Sequence, residues 1–193
     1  MKTLQVVEAI KQEKFDDRLL DIYADSRLLD YEGARYIRAI QRYSLAFYEG
    51  SGYDVEIFSA PGKCEIGGNH TDDQRGEILA ASINRDMIAV VQKIKRPVVT
   101  VLSDALNAEI RIDLEDLGRR KEEEGSTAAL IRGVLARIKE TGYSVGGFQA
   151  YIASDVLIGA GLSSSAAFET LIGTVVSCLY NSSEISPVEI AKI

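Results

Sequence analysis

Apolar positions change their spacing near Tyr53. Before it they recur at helical intervals: Leu4, Val7 and Ile10 on one face, then Phe15, Leu19, Ile22 and Tyr23, then Tyr36, Ile37, Ile40, Tyr43, Ser44 and Phe47. The pattern predicts a helical N-terminal extension over 1–52, its last helix stopped by Gly50 and Gly52 and its charged faces solvated. After Tyr53 the period shortens. Val55, Ile57 and Ser59 alternate with polar neighbours as in a strand, which Ala60-Pro61-Gly62 is expected to end, opening a Gly-rich segment that runs to Gly76. Further strands are predicted over 87–94, 98–102 and 109–114, the last with Ile110, Ile112 and Leu114 on one side and Glu109, Arg111 and Asp113 on the other. Residues 119–125 read as exposed. A helix then begins at Ser126 or Thr127, buries Leu130, Ile131, Val134, Leu135 and Ile138, and ends before Gly142. A strand over 148–152 and a long apolar helical run over 166–179 complete the pattern. Several strands before a helix, with little β-α-β alternation, predict an α+β architecture for 53–193.

Ser186-Pro187-Val188-Glu189 combines a capping box with proline at the first helical position. The helix it starts is too short to bury a face alone, so the natural protein is expected to continue beyond Ile193.

With 193 residues, 46% hydrophobic and 26% charged, the chain suits one domain or one and a half. Its formal net charge of −7 gives no basic field for nucleic acid or an anionic membrane, so neither is an expected partner. An anion would have to be held by local dipoles and a few cationic side chains. No apolar leader or bilayer-length apolar run occurs, and the chain is read as cytoplasmic. The two cysteines, Cys64 and Cys178, suggest neither a disulfide framework nor a metal site.

Chemistry collects in two places. In the first, the 148–152 strand feeds Gly159-Ala160-Gly161-Leu162-Ser163-Ser164-Ser165 and then an apolar helix. A glycine loop running into a helix start presents backbone N–H groups and the positive end of the helix dipole to an anion. The same serines could equally serve only as helix caps. The spacing is neither that of the P-loop nor that of the dinucleotide-binding glycine motif. The second place runs from Ala60 to Gly76. It brings Lys63, Glu65, Asn69, His70, Asp72 and Asp73 onto a backbone loosened by Gly62, Gly67 and Gly68. Carboxylates beside amide or imidazole groups suit a polyhydroxylated ligand, whose hydroxyls both donate and accept. An Asx-type turn around Asn69 and His70 is the structural alternative.

Ala60-Pro61-Gly62-Lys63, then Ile66, Gly68 and His70-Thr71-Asp72, followed further on by Gly159 to Ser165 and Ala166-Ala167, closely resembles galactokinases and the wider GHMP small-molecule kinase family. The resemblance runs from about residue 55 to 193 and leaves out the helical extension. It implies a ribosomal-protein-S5-domain-2-like N-terminal domain of a two-domain kinase, in which ATP passes its γ-phosphate to the anomeric hydroxyl of galactose. By that resemblance Gly159, Ala160, Gly161, Leu162, Ser163, Ser164 and Ser165 bind ATP, and Ser165 also binds Mg2+. Asn69, His70 and Asp72 read the sugar, and Lys63 takes the catalytic position beside the reacting hydroxyl. Lys63 stands where the family has arginine, Asn69 where it has glutamate, and Asp73 where it has tyrosine. The family's catalytic aspartate segment and its C-terminal kinase domain are not in this sequence, which implies that 1–193 alone is inactive. A kinase of another sugar or alcohol, or a silent ATP- and sugar-sensing regulator on the same fold, are the alternatives.

Overall fold

Two long strands fix the architecture, because their side chains alternate between two separate cores. These are β2 (Leu79–Lys93) and β5 (Phe148–Ser154). Met87, Ala89 and Val91 with Phe148, Ala150 and Ile152 enter one core; Ile88, Val90, Tyr151 and Ala153 enter the other. Such strands read as unbroken apolar runs, as 87–91 does. The computed structural model describes residues 1–47, 54–69, 71, 75–104, 109–157 and 159–193. With β1 (Glu56–Gly67), β3 (Val98–Ser103) and β4 (Ile110–Asp113), these strands form a five-stranded sheet of order β1-β2-β5-β3-β4. Only β3 and β5 pair parallel; the other pairs are antiparallel.

Helices α4 (Thr127–Glu140) and α5 (Ser164–Asn181) cover the first face. Helices α1 (Thr3–Lys11), α2 (Asp16–Tyr23) and α3 (Leu29–Phe47) cover the second. A short α6 (Pro187–Ile190), with the predicted Ser186 and Glu189 capping box, lays Ile190 over Gly173 of α5. The α+β reading holds. Ser126 caps α4 by accepting the Ala129 N–H at 3.3 Å, and Gly142 follows that helix with φ +89°.

Four expectations need correction. The buried face of α1 is Thr3, Val6 and Ala9; Leu4 is 69% exposed, because the helix is rotated by one residue, about 100°, from the predicted stripe to pack on α3. Strand β1 does not stop at Ala60-Pro61-Gly62 but runs through it to Gly67. It is an edge strand, where the missing proline N–H costs no ladder bond, and the register slips between Pro61 and Lys63. Strand β2 starts at Leu79, well before the apolar run that signals it, since its first half pairs only with β1. Finally, the charged positions of α3 are not all solvated, for Glu32 and Arg35 are buried at 0% and 3%. Gly50 and Gly52 lie outside the described residues.

Candidate active site

The site forms where β1 passes the loop between β5 and α5. The Lys63 N–H donates to the Leu162 carbonyl at 3.1 Å, a backbone bond that joins the predicted catalytic position to the predicted phosphate loop. One residue earlier, the chains touch so closely that only glycine fits easily. A Cβ on Gly62 would sit 3.0 Å from the Leu162 carbonyl oxygen and 3.1 Å from a Val156 methyl. This contact is why the glycine of Ala60-Pro61-Gly62 is needed inside a strand.

A groove of about 520 Å³ opens beside this contact, lined by Lys63, Glu65, the loop from Gly159 to Ser165, and Glu169 of α5. Gly159 and Gly161 take left-handed backbone conformations, φ +76° and +74°, which turn the loop back toward the helix start. Ser163, at the helix N-cap, is also left-handed, and its side chain makes no capping bond. The Ser163 side chain therefore does not occupy the first-turn amides of α5 as a cap normally would, and Ser163 to Ala166 line the groove. The cap-only reading of the serines does not describe this helix start. Amide donors, the positive helix end and the Lys63 ammonium together suit a multiply charged anion.

Ser165 and Glu169 stand one turn apart on α5 and both line the groove, opposite Glu65. Their oxygens are of the hard type that Mg2+ takes. Among the described residues no three or more His, Cys, Asp or Glu side chains form a metal cage. A cation here would be shared with phosphate oxygens, the usual manner for Mg2+. Burial pushes the Glu169 carboxyl above its ordinary range. Glu65 belongs to the polar set that the sequence marks over 60–76, whereas Glu169 was not singled out; its spacing from Ser165, one helical turn, was the available signal.

Beyond Ser164 and Ser165 lies a second cavity, of about 470 Å³, with an apolar floor of Met87, Ile152 and Phe168 and a polar rim of Ser103, Ser126 and Thr127. The predicted sugar residues fall elsewhere. Asn69 is exposed in the turn after β1, with φ +60°, a conformation asparagine tolerates, and it does not line the phosphate groove. Thr71 closes that turn by donating to the Gly68 carbonyl at 2.9 Å, and its own carbonyl accepts the Gly76 N–H at 2.7 Å. His70 and Asp72 lie outside the described residues. Thus Lys63 and the loop are brought together, and Asn69, the described member of the predicted sugar set, lies in the turn after β1.

Comparison with known families agrees with this geometry. The galactokinase galactose-binding signature matches residues 46–93, and the GHMP kinases N terminal domain matches 129–193. The chain belongs to the GHMP kinase family. A galactokinase of Clostridium tetani is 30% identical over 136 residues, covering 70% of this chain and 34% of the relative. One of Pyrococcus furiosus is 35% identical over 122 residues, covering 63% and 33%. The crystal structure of Lactococcus lactis galactokinase complexed with galactose superposes with a TM-score of 0.69 at 25% identity, over 78% of this chain and 38% of that one. Methanococcus jannaschii mevalonate kinase shares the fold with a TM-score of 0.60 at 20% identity, over 72% and 44%. This GHMP kinase chain spans about a third of the length of the curated relatives it matches. The first matched segment contains Lys63 and Asn69, the second the loop from Gly159 to Ser165.

Proposed function

We propose that this chain supplies the nucleotide- and sugar-binding part of an ATP-dependent sugar-1-kinase, which phosphorylates the anomeric hydroxyl of galactose to give galactose 1-phosphate and ADP. The bond from the Lys63 N–H to the Leu162 carbonyl carries this reading, because a lysine next to a glycine-rich loop and helix start, both lining one groove, is what phosphoryl transfer calls for. The loop amides and the α5 N-terminus hold the ATP phosphates. Lys63 faces the transferred phosphoryl group and stabilises the charge spread over its oxygens. Ser165 would hold Mg2+, which, when bound, neutralises charge moving onto the leaving ADP. The cavity beyond Ser164 has the size and apolar floor to take the nucleotide's base. Asn69, His70 and Asp72 orient the sugar.

Asn69 favours a second reading, a kinase of another sugar, since its amide hydrogen-bonds a hydroxyl without supplying charge. A panel of sugars with ATP, run on the complete protein that contains this chain, tests both. Galactose 1-phosphate as the main product supports the first reading, and turnover of a different sugar selects the second. Binding of ATP with turnover of no sugar overturns both in favour of a regulator.

A further inference from the structure

On the face of the sheet away from the phosphate groove, the helical extension buries an ionic knot. Its centre is Arg35 of α3, 3% exposed. One guanidinium nitrogen donates to Glu32 Oε2 at 2.7 Å; another lies 2.6 Å from Asp86 Oδ1 and donates to the Asp86 carbonyl at 2.8 Å. Arg35 Nε is in ion-pair contact with Asp155 Oδ1 at 3.3 Å, at an angle too bent for a hydrogen bond. Around this centre, Tyr23 donates to Asp86 Oδ2 at 2.8 Å, and Ser59 donates to the same oxygen. Asp155 Oδ2 accepts from Tyr31 at 2.8 Å and from Arg85 at 3.3 Å. The Asp155 N–H donates to the Asp86 carbonyl at 2.9 Å.

Hydrophobic isosteres would hold this fold at least as well as buried charges, which cost desolvation. The positions of the partners in the chain suggest a different use. Asp86 pairs with Pro61 across the β1–β2 ladder, at the register slip that precedes Lys63. Asp155 follows β5 directly and begins the segment that becomes the phosphate loop. Ser59 and Asp155 therefore mark the bases of the two segments that meet at the Lys63–Leu162 bond, and Arg35 reaches both, through Asp86 and directly. We infer that Arg35 is a positioning residue, which sets the spacing of Lys63 from the phosphate loop by clamping Asp86 and Asp155 together. The functional part of this inference rests on the kinase reading above; the mechanical part does not.

The test is Asp155→Asn, which keeps the side-chain shape and the backbone bond to Asp86 but removes the charge that faces Arg35. Arg35→Lys serves as the companion, keeping charge and losing the fork. Amide hydrogen exchange on the chain should show the Lys63 amide, whose acceptor is Leu162, opening about tenfold more often in Asp155→Asn, while α4 and the β3–β4 pair keep their rates. Affinity for a non-hydrolysable ATP analogue should fall in parallel. An unchanged Lys63 amide, or an equal acceleration everywhere, overturns the inference by showing either no tie or a merely global one. If the parent chain binds no ATP analogue, the kinase reading fails, and the exchange pattern still decides whether Arg35 couples the two segments.

Discussion

At the scale of single residues the site depends on one cation and one glycine. On the proposed reading, removing the Lys63 ammonium by Lys63→Ala should lower kcat of the complete protein by about 100-fold or more with a smaller change in KM, because that reading needs its charge most as the phosphoryl group transfers. Steady-state kinetics on both substrates checks this; a change confined to KM would place Lys63 in ground-state binding. Gly62→Ala acts on the same contact from below. The new methyl meets the Leu162 carbonyl at 3.0 Å, so the loop must shift, and affinity for an ATP analogue should fall several-fold while the melting temperature drops only modestly. Glu32 gives a pH-dependent prediction. Burial raises its pKa, with the Arg35 hydrogen bond and charge opposing, so the folded state binds its proton more tightly than the unfolded chain does. The resulting penalty is absent below the unfolded value of about 4.3, grows as pH rises from there through the raised folded value, and is complete above it. Glu32→Gln removes it. The variant should melt higher than the parent at pH 7, with the gain fading as pH falls toward 4, and thermal melts across that range would show it.

At the scale of elements, the sequence exposes whatever carries a period or a cap. The α4 stripe, the Ser126 cap and the Ser186 capping box are local signals, and each element stands where its signal lies. The left-handed glycines of the 159–165 loop were legible for the same reason, since their residue type is dictated by backbone conformation, whereas the contact of that loop with Lys63 is a long-range one. Three features were not. Strand β1 continues through Pro61 because it is an edge strand, and edge position is a property of the sheet. The rotation of α1 that exposes Leu4 is set by its packing partners, which no local period encodes. Glu32 and Arg35, three apart on a helix, read as an ordinary surface pair; only the arrival of Asp86 from β2 and Asp155 from β5 buries them. Long-range polar networks leave no periodic trace, which is why the sequence places Glu32 and Arg35 in water and the structure does not.

At the scale of the whole molecule, the helical extension is the second half of a three-layer structure. Residues 1–47 cover Ile88, Val90, Tyr151 and Ala153, which are 0–7% exposed and belong to the two central strands. They also carry Tyr23 and Arg35, which among the described residues are the partners of the Asp86 carboxylate from outside the sheet. Deleting α1 to α3 would therefore expose one full face of β2 and β5 and leave a carboxylate in apolar surroundings without its counter-charge, two of the costliest changes available to a small domain. Residues 54–193 alone should then fail to give a cooperative melt, although both family-matched segments beyond residue 53 are intact. Deleting α1 alone is milder, since it removes Val6 and Ala9 but leaves Arg35 and Tyr23 in place; it should lower the melting temperature and preserve ATP-analogue binding. A cooperative, nucleotide-binding 54–193 would show that the catalytic face holds its geometry without the knot, and would remove the reason for a charged residue at Arg35.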